Sequence, residues 1–232
     1  MDAEEVVRNI ERVRARIAQA ASRAGRSADQ VTLVAVTKRV EAVRMEAAYR
    51  YGLRDFAENY MQEAVAKIDQ PPLDVPEICW HFIGHLQTNK VKEAVGRFVL
   101  IQSVDSLRLA SEIGKQAVRA GLTADILLEV KLDPIAAKFG LAPETTLEMA
   151  AQVTMVPGIR LRGLMGMAPF ASEPEAARPA FRQLYTLFTQ LPPECRHTLS
   201  MGMTGDFEVA IEEGATMVRL GTALFGQRPQ QA

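Results

Sequence analysis

Eight short apolar runs of strand length, each set apart from the next by a helix-sized spacer, constrain this 232-residue chain more than any other feature. They lie at 31–37, 54–58, 78–84, 98–104, 124–132, 160–167, 197–203 and 216–221. Several carry apolar residues without a clean period of two, as strands covered on both faces do, and the spacers admit crossover helices. Those helices are expected at roughly 40–52, 59–69, 88–96, 105–120, 143–155, 173–190 and 205–214. Parallel connection follows, and eight such units close most simply as a single (β/α)8 barrel of the TIM type. An open doubly wound sheet uses the same alternation but announces a nucleotide site with a Gly-rich turn after its first strand. Here the first strand runs into Thr37, Lys38 and Arg39, with no glycine.

Ahead of the first strand, Val6, Val7, Ile10, Val13 and Ile17 recur at helical spacing, which predicts an extra amphipathic helix over 3–24 that Gly25 terminates, packed on the barrel. With 48% apolar residues the chain has enough for one core, so 1–232 reads as a single domain, with 71–77 a Pro-rich loop and 228–232 a frayed tail. A formal net charge of −1 offers no global field for nucleic acid or an anionic membrane surface. Cys79 and Cys195 lie far apart without metal-ligand spacing, and the N-terminus has no uninterrupted apolar stretch. A soluble, unprocessed cytoplasmic protein with reduced thiols is expected.

In such barrels chemistry sits where strands end at the C-terminal mouth. Lys38 follows an apolar strand directly, a position that favours the neutral amine needed to attack an aldehyde, although a lysine that merely snorkels at a strand end fits the same pattern. Ser200, Gly202 and Thr204 follow strand seven, and Gly221 and Thr222 follow strand eight and open a short final helix. Small residues and hydroxyls in these loops suit a phosphate, or they make tight turns. Arg219 points to the mouth by alternation, or pairs with Glu212 or Glu213. His81 and His85 are spaced i, i+4 but fall on a strand and a loop, which argues against a metal site; Thr88 and Asn89 are candidate caps of the helix that follows.

The motifs AVTK at 35–38, AENYMQEA at 57–64, WHFIGHLQTNK at 80–90, SVDS at 103–106, KFG at 138–140, RGLMGMA at 162–168 and the segment from Ser200 to Gly226 resemble the YggS/PROSC family of pyridoxal phosphate homeostasis proteins, which is similar to the N-terminal barrel of alanine racemase. The resemblance implies that Lys38 holds pyridoxal 5′-phosphate as a Schiff base. It sets Ser200, Gly202, Gly221 and Thr222 at the phosphate, Arg219 at the pyridine nitrogen, and Asn59 and Met165 beside the ring. Gln87, Asn89 and Ser103 map around the mouth, and Lys138 is either a second amine there or a solvated lysine. Ala57 stands where the family more often has glycine, and Thr204 where serine is commoner.

Two functions compete on these residues. One is a carrier that buffers pyridoxal phosphate or delivers it to apo-enzymes; the other is a weak amino-acid racemase or decarboxylase on the same cofactor. Racemisation needs an acid or base on each face of the ring, and Lys38 serves one face only. In the racemases the opposite face comes from a second domain across a dimer, which this chain is not expected to carry, so a monomeric carrier is favoured. A phosphosugar-binding barrel with an unmodified lysine is a third reading.

Overall fold

The computed structural model describes residues 2–69, 78–133 and 138–227. Eight parallel strands pair in sequence order and close on themselves. They are β1 (Thr32–Val36), β2 (Asp55–Glu58), β3 (Cys79–Phe82), β4 (Leu100–Val104), β5 (Ala124–Val130), β6 (Ile159–Gly166), β7 (Thr198–Ser200) and β8 (Met217–Leu220). The seam is the pairing of β1 with β8, from Thr32 opposite Met217 to Ala35 opposite Leu220. All eight expected strands form. Those expected over 78–84, 98–104 and 197–203 are shorter than the apolar runs, because the run ends leave the sheet and become loops.

The helices are α1 (Ala3–Arg23), α2 (Ala42–Arg50), α3 (Met61–Asp69), α4 (Val91–Ala94), α5 (Leu107–Arg119), α6 (Thr146–Thr154), α7 (Arg178–Gln190), α8 (Phe207–Glu212) and α9 (Thr222–Phe225). The helix expected over 88–96 begins instead as a tight 3-10 turn, Thr88–Lys90, and only then becomes α4. Thr88 and Asn89 lie inside that turn and cap nothing; Gln87 holds the N-cap position with no side-chain bond. The loop 71–77 and the tail 228–232 lie outside the described residues.

Burial explains the strand composition. All five residues of β4 and the last five of β5 are buried, as both faces of a barrel strand require. Outward side chains join the helices in one large core. Inward, Val34, Val36, Ala57, Leu100, Leu127, Met165 and Met217 form a separate apolar cluster that fills the lumen.

The leading helix α1 starts at Asp2, whose side chain accepts the Glu5 amide at 2.8 Å, and it buries Val6, Ile10, Val13 and Ile17. It packs on α2, α8 and α9, across the β1–β8 seam. Two basic side chains fix that contact. Arg16 makes a two-pronged bond to Glu208 at 3.2 and 2.8 Å, and Arg26 reaches the carbonyls of Ile211 and Ala215 at 3.1 and 2.8 Å.

One glycine sets how the mouth closes. A Cβ on Gly84 would fall 1.9 Å from the backbone oxygen of Asn59, so only glycine lets the β3 loop lie against the end of β2. Ser103 holds the loop from the other side, its hydroxyl donating to the Gly84 carbonyl at 2.5 Å. Gly84→Ala is expected to destabilise the protein by about 1–3 kcal/mol through overpacking. A thermal melt checks this; an unaltered Tm would mean that the close approach is not tight.

Candidate functional site

A cavity of about 340 Å³ opens at the C-terminal mouth, lined by Lys38, Asn59, Met165, Arg219, Gly221 and Thr222 among others. Val36 and Ile83 form its apolar walls, Met203, Thr204, Gly205 and Asp206 come from the loop after β7, and residues 167–171 from the loop after β6. Seven of the residues expected at the site, Thr204 among them, therefore share one cavity, drawn from the ends of β1, β2, β6, β7 and β8. Ser200 and Gly202 do not line it. Ser200 is 0% exposed and lies behind Arg219, and Gly202 packs on α8, where a Cβ would meet the Ala210 side chain at 2.6 Å. Thr204, expected with them, does bring a hydroxyl to the cavity; its Oγ1 accepts the Ala223 amide at 3.2 Å and ties the β7 loop to α9.

Arg219 is 4% exposed, and a buried cation demands partners. Its donors set the direction of a whole row of hydrogen bonds, because a guanidinium only donates. Nη1 donates to Ser200 Oγ at 2.6 Å, so Ser200 spends its own proton on Gln102 Oε1 at 2.6 Å. The Gln102 amide nitrogen then faces His81 Nδ1 at 3.2 Å, which must accept. His81 is left to donate from Nε2 to Asp55 Oδ1 at 2.9 Å. The second arm of Arg219 donates to the Gly166 carbonyl at 3.1 Å. The expected alternative, pairing with Glu212 or Glu213, does not occur: those carboxylates lie outside the barrel and bind Arg23, Arg178 and Arg182.

Burial pushes Arg219 down to about 10, opposed by the charges of Glu129 and Asp206, so it stays a cation at neutral pH. Glu129 lies inside the barrel on β5. Burial pushes its carboxyl up to about 7, with Asp105 adding to the rise and Arg219 opposing it. Asp206 is also raised by burial, against the Met203 amide and the charge of Arg219.

The two histidines part company. His81 belongs to the interior row, whereas His85 stacks on Phe139 with ring centres 3.7 Å apart and borders a separate shallow cleft with Gln87, Asn89 and Asp105. Gln87 and Asn89 thus face that cleft and not the Lys38 cavity. Ser103 is buried under the Gly84 loop, and Lys138 is exposed. Gln102 and Glu129 were not singled out by sequence, although each is a buried polar residue in a mostly apolar strand, which is the signal of a group with a partner to satisfy.

Glu129 gives a pH signature. Between its ordinary 4.5 and about 7 the unfolded chain has released a proton that the folded chain keeps, so this group's stabilisation is complete at low pH and is lost as pH rises through that window. Glu129→Gln is expected to flatten stability between those limits and to raise it at pH 8 by up to about 3 kcal/mol. Urea melts across the range check this; parallel curves for both proteins would refute the shift.

The family model described as "Alanine racemase, N-terminal domain" matches residues 8–229. A pyridoxal phosphate homeostasis protein of Aquifex aeolicus is 42% identical over 222 residues, 94% of this chain and 96% of the relative. A crystal structure of an unknown protein from Bifidobacterium adolescentis superposes with a TM-score of 0.86 at 35% identity, covering 96% of this chain and 95% of that one. PipY of Synechococcus elongatus, with pyridoxal phosphate bound, gives a TM-score of 0.78 at 38% identity over 90% of this chain and 100% of its own. Nearly end to end, then, in sequence and in barrel, the chain belongs to the alanine racemase N-terminal-domain family and, within it, to the pyridoxal phosphate homeostasis proteins.

Proposed function

We propose that this chain, as one domain and a cytoplasmic monomer, holds pyridoxal 5′-phosphate as a Schiff base on Lys38 and serves vitamin B6 homeostasis by buffering the cofactor or handing it to apo-enzymes. The observation that carries the reading is the convergence of Lys38, Arg219 and the Thr204, Gly221 and Thr222 cluster on one cavity of a size suited to a small ligand. The bound cofactor in PipY, at 38% identity, supports it.

A local test of fit is met. Asn59 Oδ1 is buried with no hydrogen-bond partner among the described residues, an acceptor awaiting a donor. Pyridoxal phosphate carries a ring hydroxyl beside its aldehyde that supplies one. Bound, the cofactor contributes an aldehyde that an amine captures reversibly.

The residues then divide the work. Lys38 supplies the amine, and Met165 and Asn59 flank the ring. Arg219, a fixed cation at the pyridine nitrogen, keeps that nitrogen unprotonated, which weakens the ring as an electron sink and disfavours amino-acid turnover. Thr204, Gly221 and Thr222 offer hydroxyls and close backbone approach to the phosphate. Ser200 acts through Arg219, holding one arm of the guanidinium, and Gly202 serves packing against α8.

Lys38→Ala is expected to abolish the visible chromophore and the borohydride-stable label while leaving the thermal melt near wild type. Peptide mass spectrometry checks it, and a label on any other residue of the wild type would sink the assignment. Mixing the loaded protein with an apo-enzyme that requires pyridoxal phosphate tests delivery: activation supports it, and turnover of an added L-amino acid by the loaded protein alone would favour an enzyme instead.

A further inference from the structure

The motif at 57–64 gives Asn59 to the cavity but leaves its two carboxylates without a role. Glu58 and Glu63 converge with Lys67 on the backbone around Lys38. Lys67 Nζ donates to the Thr37 carbonyl at 2.6 Å, to Glu58 Oε1 at 2.6 Å and to Glu63 Oε1 at 2.8 Å. Thr37 Oγ1 donates to the same Glu58 oxygen at 2.7 Å, and the Arg39 amide donates to Glu63 Oε1 at 2.5 Å. The Thr37 carbonyl belongs to the peptide unit entering Lys38 and the Arg39 amide to the one leaving it. One ion cluster therefore holds both.

Two further observations point to purpose. Arg39, at φ 58°, is among the described residues the one non-glycine in the left-handed region, a strained conformation that persists only where its surroundings hold it. Its guanidinium is braced over the Tyr60 ring, 5.8 Å from the centroid. Glu58 is 0% exposed, and its Oε2 has no hydrogen-bond partner among the described residues. Burying that carboxylate costs more desolvation than an apolar residue would, so packing alone does not account for it.

We infer that Glu58, Glu63 and Lys67 form a positioning clamp that fixes the backbone on both sides of Lys38 and so aims its amine at the aldehyde of the ligand. The inference rests on the function proposed above. A lysine stem has four rotatable links, and anchoring its root from β2 and from the first two turns of α3 narrows the volume its amine sweeps. Capture of an aldehyde depends steeply on such alignment.

The test uses the full chain and two ligands, pyridoxal phosphate and 4′-deoxypyridoxine 5′-phosphate, which keeps ring and phosphate but has no aldehyde. Lys67→Met and Glu63→Ala are expected to slow capture of pyridoxal phosphate, followed by visible absorbance, roughly ten- to a hundred-fold. Affinity for the deoxy analogue, read by calorimetry, stays at the wild-type value, and Lys67→Arg recovers much of the capture rate. Glu63→Ala, at the more exposed end of the cluster, keeps the test available if Lys67→Met fails to fold. Equal weakening of both ligands, or wild-type capture by Glu63→Ala, would overturn the clamp. Failure of the wild type itself to form a Lys38 adduct would overturn the cofactor assignment and the clamp with it.

Discussion

A guanidinium inside a protein wall cannot be left unpartnered, and the burial of Arg219 governs what else the barrel contains. Because that group can only donate, each neighbour's role is dictated outward from it: hydroxyl, amide, imidazole and finally the Asp55 carboxylate. The row begins at the mouth and ends on β2 at the strand's first residue, half-buried at the opposite end of the barrel. An apolar lumen would stabilise the barrel at lower cost. The polar row is kept where a cation must be presented to the cavity at a fixed angle, and it connects four strands, β2, β3, β4 and β7, to the one residue on β8 that needs them.

The barrel was legible because its signal is repeated eight times, so an error of a few residues at one strand end leaves the count intact. The strands that came out short, such as β7, did so where Ser200 gives way to a loop whose path depends on glycines and on α8, neither of which a local pattern specifies. Lys38 and Arg219 were legible as strand-end residues of chemistry-bearing type. Ser200 was legible as a hydroxyl at a strand end, but its bonds to Arg219 and Gln102 were not, since those partners lie 19 and 98 residues away in the chain. Gln102 meets His81 and Ser200, and Glu58 and Lys67 meet Thr37, across 21 to 98 residues of chain, where no spacing rule reaches.

The cavity has walls of unequal firmness. Lys38, Asn59 and Arg219 rise from strands braced by ion clusters or hydrogen-bonded rows. The outer side is the loop after β6, where Met167 is 41% and Phe170 100% exposed. Such side chains forgo packing, and within this loop Ala168 is the residue buried in the main core. A rigid floor with a lightly held rim suits a ligand that must be gripped and also released.

The seam between β1 and β8 has a consequence for how the molecule is completed. Lys38 stands at the end of the first strand and Arg219 on the last, and these two sides of the cavity meet along the register from Thr32 opposite Met217 to Ala35 opposite Leu220, strapped by α1. No fragment short of nearly the whole circle possesses a pocket at all. Any molecule lodged there spans the join like a staple, and its binding energy becomes ring-closure energy. Occupancy and the integrity of the circle are thereby thermodynamically linked, and a filled protein should resist opening at this join more than an empty one does.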